Sequence, residues 1–473
     1  MAIFSGVLAS DASTIDAVTR RLADSPRPER LRPIGLRHIV QGPDVLGGLP
    51  ELVRSLAVTG PVLVLADGVP MQRAGLDLKA HVVALLAGLD AQLVTIGDGT
   101  HEVHADTETV AIATAALSGA GCVVSVGSGT ICDIGKKATE GPAPIPYVVV
   151  QTACSVNAFS DDMAVLLIHG AKRTLPSHWP DALVIDLGVI ADAPPILNQA
   201  GVGELSSMFT APADWRLADI LGLDAGYDET LVGLFRDDGE ELERVAIGVA
   251  AGDLAALGWL CDRMTRGGLA LGVAGRTAPL SGAEHAISHL LDMAAIRTGV
   301  PTGLHGAQVG VASVVVAALW QDILDGFDVE RVLDAPPRPG AARERIERTF
   351  GVFDPTGEMA GECWRLYQRK LSAWTTSVDA REAFVAGWPG HRETLASGLL
   401  SPERITAGLR AAGAPVTFSD LGARRDTARW AVSAAHLLRD RFGVLDLVDL
   451  TGRWTDADVD RVLARAAAAG GGL

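Results

Sequence analysis

Up to about residue 195 the chain alternates short, largely apolar runs with longer stretches of helical period. The short runs are His38–Val40, Pro61–Ala66 (P-V-L-V-L-A), Ala91–Ile96, Gly121–Val126 (G-C-V-V-S-V), Tyr147–Thr152 (Y-V-V-V-Q-T) and Leu183–Asp186. Pro61–Ala66 and Gly121–Val126 have the pattern of buried strands, and the other runs read as strands. Between them, the stretches through Leu52–Leu56, Leu76–Leu89 and Thr107–Ser118 read as helices. A β-α-β alternation of this kind predicts a parallel sheet covered by helices. Beyond Ala193-Pro194-Pro195 helical period takes over. The expected organisation is an α/β domain over 1–195, with 1–35 as a turn-rich lead-in, and an all-α domain over 196–473. Loops are expected at Pro336–Gly340 and Gly387–Gly390, a helix at Ala428–Arg441, and a frayed tail at Ala464–Gly472.

Composition narrows the functional classes. A chain of 473 residues has room for two or three domains. The net charge of -17 argues against non-specific nucleic-acid binding and against a polybasic membrane surface. Five cysteines at 122, 132, 154, 261 and 363 form no C-x-x-C pair, which excludes a zinc ribbon and a dithiol redox motif and fits a reducing compartment. The first residues lack the apolar segment of a signal peptide, and apolar runs such as Gly310–Trp320 read as too short to span a bilayer. A cytoplasmic location is expected.

Three segments carry candidate chemistry. V-S-V-G-S-G-T-I-C-D-I-G-K-K leads a strand into Gly127-Ser128-Gly129-Thr130 and then a helix, whose N-terminal N–H groups can face an anion. The spacing is not G-x-G-x-x-G, and a plain strand-to-helix turn explains it equally well. The polar run A-C-S-V-N-A-F-S-D-D follows the strand at Tyr147–Thr152, where open α/β sheets place ligands. Finally, G-A-E-H-A-I-S-H puts His285 and His289 four residues apart, and G-L-H-G adds His305 beyond a Pro/Gly turn. Imidazoles from two helices suit a metal site, although hydrogen-bonded interior histidines share the spacing.

Taken in order, G-S-G-T-I-C-D-I-G-K-K (127–137), Q-T-A-C-S (151–155), G-V-G-E-L-S-S with D-W-R-L-A-D (201–219), S-G-A-E-H-A-I-S-H (281–289), G-L-H-G-A-Q-V-G-V (303–311) and L-R-D-R-F-G-V-L-D-L (438–447) cover most of the chain. In this combination the chain resembles the iron-containing alcohol dehydrogenase, glycerol dehydrogenase and dehydroquinate synthase superfamily. It looks most like the sn-glycerol-1-phosphate dehydrogenase branch. The resemblance implies a Rossmann-like nicotinamide-binding domain, an all-helical domain and an active site in the interdomain cleft. It implies one divalent metal (zinc, iron or nickel) on Glu204, His285 and His305, with His289 and Asn157 as further active-site residues. Gly127, Ser128, Gly129 and Thr130 would cradle the pyrophosphate of NAD(H) or NADP(H), with Asp133 and Lys136 in the helix behind, and Thr152 and Ser155 would touch the cofactor. Asp67, after the first long strand, would hold the adenosine ribose and favour NAD.

The implied activity is a metal-dependent, NAD(P)-linked dehydrogenase or reductase of a small polyol phosphate or related anionic ketone or aldehyde, working as a homodimer or larger oligomer. Lys172 and Arg173 are candidate cations for the substrate, and D-W-R-L-A-D carries the likeness to the phosphate-using branch. Two positions depart from the dehydrogenase pattern: Glu204 stands where Asp is usual, and Asn157-Ala158 where Asp is usual. Asn keeps hydrogen bonding but cannot act as a base, and Asp161 and Asp162 are candidates to compensate. Glu204 and Asn157 leave two other readings open: a dehydroquinate-synthase-like cyclase or lyase using NAD transiently, and an inactive homologue acting as a binding or regulatory subunit.

Overall fold

The computed structural model describes residues 12–168, 171–236, 239–301 and 303–473. They form two compact units. One comprises the described residues up to Ile168 with Lys172–Gly201 and Val245–Arg276; the other comprises Val202–Arg244 and Thr277–Leu473.

In the first unit the valine-rich runs become strands β1 (His38–Gly42), β2 (Val62–Asp67), β3 (Gln92–Ile96), β4 (Cys122–Gly127) and β5 (Tyr147–Gln151). Strands β6 (Met163–Ile168) and β7 (Ala171–Pro176) pair as a separate two-stranded sheet, and β8 (Ala182–Asp186) returns to the main one. The main sheet runs β1-β8-β5-β4-β2-β3 with every pairing parallel. Val62, Val64 and Ala66 of β2 share a core with Leu49, Leu52, Val53, Val124 and Val148. The alternating residues Leu63 and Leu65 point to the opposite face and are buried too. Burial on both faces is why the strand shows no polar alternation. After β2 the chain steps outward to β3, then crosses back to β4 on the other side of β2, so the strand order reverses between β2 and β4. The register that pairs Leu65 with Ser125 and Gly127 with Gln151 lines up Asp67, Gly127 and Thr152 along the C-terminal edge of the sheet.

Helix α1 (Gly129–Ala138) follows β4 and packs on β4, β2 and β5. The expected domain boundary near 195 falls at the first residue of helix α2 (Pro195–Leu205), and the two units part inside that helix. Helix α3 (Leu254–Ala274) belongs with the sheet although it lies well beyond residue 195. It packs on the helix Leu187–Asp192; Gln41 Nε2 donates to its Gly258 carbonyl at 2.9 Å, and Ser160 Oγ to its Thr265 carbonyl at 2.9 Å.

The second unit is helical among its described residues. Helix α4 (Ala283–Thr298) ends in a Gly299 of left-handed conformation, and helix α5 (His305–Gly326) begins after a short connection. Helix α5 packs against α4 and the helices Pro402–Ala411 and Asp456–Ala468. It absorbs the apolar run Gly310–Trp320, and its 22 residues are long and apolar enough to cross a membrane, contrary to the reading of that run alone. Its most apolar window is 83% buried within the structure, so that apolarity serves as core.

Three further expectations change. The helix expected over Ala428–Arg441 ends at Ala434, and after one 3-10 turn Arg439 and Arg441 lie in an irregular strap bonded to Ser281 and Gly282. Gly387–Gly390 is no loop: the helix Trp388–Ala396 starts there with Pro389 in its first turn, where proline's missing N–H costs nothing. The low-complexity tail is not frayed. The helix Asp456–Ala468 runs into it, Gly472 N donates to Val416 O at 2.9 Å, and Phe418 N donates to Gly472 O at 2.7 Å.

Candidate metal centre and cofactor cradle

Three helix ends of the second unit converge. Glu204 lies at the C-terminal end of α2, His285 in the first turn of α4, and His305 at the first position of α5. His285 Nε2 is 3.5 Å from Glu204 Oε1, and His305 Nε2 is 3.8 Å from Glu204 Oε2. Among the described residues these three form the group whose donor atoms all lie within 4.8 Å of one another. Ligands held at roughly 2.1 Å by a tetrahedral ion stand about 3.4 Å apart, so the observed separations fit one divalent cation.

The convergence is written into small residues. A Cβ at Gly203 would lie 2.3 Å from the Gly306 carbonyl oxygen, and one at Gly310 would lie 2.7 Å from Gly203 Cα. Backbone therefore meets backbone where α2 crosses the start of α5, which brings Glu204 beside His305. Ser206 Oγ and Ser207 Oγ donate to the Val202 and Glu204 carbonyls at 2.9 and 2.8 Å and close off the end of α2.

The far nitrogen of each imidazole is also held. His285 Nδ1 lies 2.9 Å from Glu284 Oε1, and His305 Nδ1 lies 2.8 Å from Ser288 Oγ. Burial opposes charge on His285, but the Glu204 carboxylate, and then that of Glu284, outweigh it and raise the imidazole to about 9. Burial likewise opposes charge on Glu284, yet its hydrogen bond to His285 and the imidazolium charge hold it below the usual range. The site thus favours a positive charge between its carboxylates, a requirement that a divalent cation satisfies as well as a proton. His289 is buried one turn further along α4, with its ring stacked 5.4 Å from that of His305 and edge-on to that of His285 at 6.3 Å.

In the first unit, Asp67 ends β2 and Gly127 ends β4, on the two sides of the strand-order reversal where open α/β sheets bind ligands. Ser128 precedes α1 without capping it; its hydroxyl lies 2.8 Å from Ser155 Oγ, which leaves the first N–H groups of α1 without a side-chain cap. Gly127, just before the turn, leaves no room for a side chain, since a Cβ there would sit 2.6 Å from Ile131 Cβ. Thr152 N donates to Gly127 O at 3.1 Å, so the two turns are tied together. The residues present suit a pyrophosphate at the start of α1. Asp67 accepts from Val69 N at 3.0 Å, and burial raises its carboxyl above the ordinary value. Asp133 faces away from the helix start: it is buried, and its Oδ2 accepts from Val165 N of β6 at 3.2 Å.

Comparison with known proteins agrees with this architecture. A model of the iron-containing alcohol dehydrogenase family matches residues 40–194. A glycerol-1-phosphate dehydrogenase [NAD(P)+] of Natronomonas pharaonis is 32% identical over 300 residues, covering 63% of this chain and 81% of the relative. The enzyme of that name from Bacillus velezensis is 27% identical over 421 residues, 88% of this chain and 92% of the relative. The chain belongs to the iron-containing alcohol dehydrogenase family. Its fold is shared with the crystal structure of a probable glycerol dehydrogenase from Sinorhizobium meliloti 1021, at a TM-score of 0.59 and 19% identity over 93% of this chain and 99% of that one.

Within this family member, several motif residues turn out to build the frame around the site. Asp214 of D-W-R-L-A-D accepts from Ala283 N at 2.8 Å and from Val444 N at 3.1 Å, capping two helix starts with one carboxylate. Gly282 and Gly443 make room for it; a Cβ on either would come within 2.9 and 2.7 Å of Asp214 Oδ2. Trp215 is buried 5.1 Å from the Tyr227 ring, and Arg216 lies over that ring and pairs with Glu229 at 3.2 Å. Arg439 and Arg441 of L-R-D-R-F-G-V donate to the Ser281 and Gly282 carbonyls. D-W-R-L-A-D is therefore occupied with scaffolding.

The loop after β5 holds Asn157, half-buried, with its carbonyl against α3 at Gly268. Both neighbouring aspartates are engaged in ion pairs. Asp161 is buried in an ion pair with Lys136 at 2.6 Å, and Asp162 pairs with Arg32 at 3.3 Å. Lys136 also donates to the Ala158 and Met163 carbonyls at 2.6 and 2.9 Å, so a lysine of α1 clamps this loop. Lys172 and Arg173 lie on β7.

Proposed function

We propose that this chain is a metal-dependent, NAD(P)-linked dehydrogenase that interconverts the secondary alcohol of a small polyol phosphate with its ketone. Glycerol 1-phosphate and dihydroxyacetone phosphate are the pair to test first. The observation that carries this reading is the Glu204–His285–His305 cluster, complete in its three donors and with both Nδ1 atoms held from behind. The phosphate preference rests on the named activity of the curated relatives. Glu204, His285 and His305 would hold a divalent cation that supplies Lewis-acid chemistry for the substrate oxygen, and the turn at Gly127–Thr130 would hold a nicotinamide cofactor that supplies hydride chemistry.

The chain's own residues account for the rest. Two neutral imidazoles and one carboxylate leave a bound cation with net positive charge, and zinc, iron and nickel all accept such a donor set. His289, beside the cluster, would hold or pass the alcohol proton, a role open to an imidazole. Asn157 hydrogen-bonds substrate without taking a proton. Asp67 at the end of β2 favours the ribose hydroxyls of NAD over a 2′-phosphate.

The test is oxidation of NADH and of NADPH with dihydroxyacetone phosphate, with and without chelator, followed by add-back of zinc, iron or nickel. Turnover that disappears with chelation and returns with metal is expected, with NADH preferred. Absence of metal-dependent turnover across a panel of phosphorylated ketones and aldehydes overturns the reading.

A further inference from the structure

The polar residues of α4 fall into two adjacent rows. His285 and His289 form one; Glu284, Ser288 and Asp292 form the other, at successive turns and all buried. This second row is expensive to bury unless each member is bonded, and its bonds run in a fixed direction.

Asp292 Oδ1 accepts from Gln308 Nε2 at 2.9 Å. That contact assigns the amide: nitrogen toward Asp292, oxygen toward Ser288. Gln308 Oε1 then accepts the Ser288 hydroxyl proton at 2.7 Å. With its only proton given away, Ser288 Oγ can only accept at 2.8 Å from His305, so His305 carries its proton on Nδ1 and presents the Nε2 lone pair to the cluster. His285 reaches the same state more directly. Glu284 Oε1 takes Gly282 N at 2.6 Å and faces His285 Nδ1 at 2.9 Å, while Glu284 Oε2 takes Thr210 Oγ1 at 2.9 Å. An ionised carboxylate only accepts, so Nδ1 must be the protonated nitrogen.

We propose that Glu284, Ser288 and Gln308 are positioning residues for the metal centre: one carboxylate directly, and a second through a Gln308–Ser288 relay ending at Asp292, force both histidines to be Nε2 ligands. The inference rests on the metal reading above. It also assigns the two arms different strengths. His285 faces a carboxylate and becomes the more basic ligand, whereas His305 faces a neutral hydroxyl that fixes orientation alone.

The experiment measures zinc affinity by chelator competition on the full chain, the visible absorption of the cobalt-substituted protein, and 15N shifts of the metal-free imidazoles. S288A and Q308L are each expected to weaken zinc binding by at least about tenfold, with His305 moving toward a mixture of tautomers; each also strips a buried polar group of its partner and lowers the metal-free thermal midpoint, so affinities are compared at a temperature where every variant is folded. E284Q keeps an acceptor for the Nδ1 proton and is expected to lose less affinity than E284A. If S288A and Q308L both bind zinc within about twofold of the parent while H305A does not bind, the relay is wrong. Equal losses in E284Q and E284A refute an orienting role for Glu284. Should the parent itself hold no stoichiometric metal, the metal centre fails before the relay does. The separate H305A control distinguishes the two failures.

Discussion

Gly203→Ala adds one methyl group and moves no charge, yet it is expected to damage the metal centre. The new Cβ would lie 2.3 Å from the Gly306 oxygen, 3.0 Å from its carbonyl carbon and 3.4 Å from Ala307 Cα. Carbon contacts settle at roughly 3.5 Å, so the backbones of α2 and α5 must separate by about 1 Å. Neither side can yield by a rotamer change, because the atoms met are main chain and Gly310 already packs on Gly203 Cα. Overpacking of this kind costs about 1–3 kcal/mol. The same separation acts on the site, since Glu204 is the next residue and His305 precedes Gly306. Their 3.8 Å contact would open toward roughly 5 Å, beyond what an ion with arms of about 2.1 Å spans. Urea unfolding of the metal-free protein measures the first effect, and chelator competition with zinc the second; affinity is expected to fall at least about tenfold. A variant with parental unfolding midpoint and parental affinity would refute the claim that this helix crossing sets the ligand distance.

Asp133→Asn tests a buried charge. Burial raises Asp133 to about 7, with the Lys136 cation opposing the shift. The folded state therefore binds a proton that the unfolded chain releases above its ordinary value of 3.8. Stability attributable to this group is full below that value and is lost as pH rises toward 7, by up to about 4 kcal/mol. The amide variant should match the parent near pH 4 and gain on it at pH 8; a difference independent of pH in denaturant titrations refutes the assignment. Lys136→Met leaves Asp161 buried without its cation and two carbonyls without a donor, and should cost about 3–5 kcal/mol in the same assay. A loss below about 1 kcal/mol would mean that water replaces the ammonium group. Gly361→Ala, inside the helix Glu358–Thr376 with open space around its Cβ position, should stabilise by about 0.5–1 kcal/mol. A destabilised variant would show that the space is not open.

What can be read from the residues follows from how each feature is encoded. The inner strands β2, β4, β5 and β8 are legible because burial on both faces leaves apolar, valine-rich runs, whereas the edge strand β3 is mostly exposed and is read from its place in the alternation. Strands β6 and β7 are not legible: A-K-R-T-L-P is half polar, and only its pairing partner makes it a strand. The place of α3 is equally hidden, since its helical period is the same whichever unit it packs on and tertiary contacts at Gly258 and Thr265 decide it. In the candidate site, the three donors emerge from ordered motifs rather than from spacing. The supporting row Glu284, Ser288 and Asp292 is hidden, because polar residues repeating every fourth position share one helical face and look in sequence like a solvent-facing stripe; only the packing shows them buried. Gln308 stands out more, polar amid the alanines and valines of α5. Asp214 has no local signature. Its partners are backbone N–H groups at Ala283 and Val444, far along the chain, and a carboxylate that caps two helices looks in sequence like any acid at the start of one. That is why D-W-R-L-A-D reads, in sequence, as a mark of the phosphate-using branch. The segment also holds the first turn of α4 in place, so a D214N variant is expected to lose zinc affinity along with unfolding resistance while retaining the parental preference among phosphorylated substrates; a changed preference would show that its influence reaches the substrate.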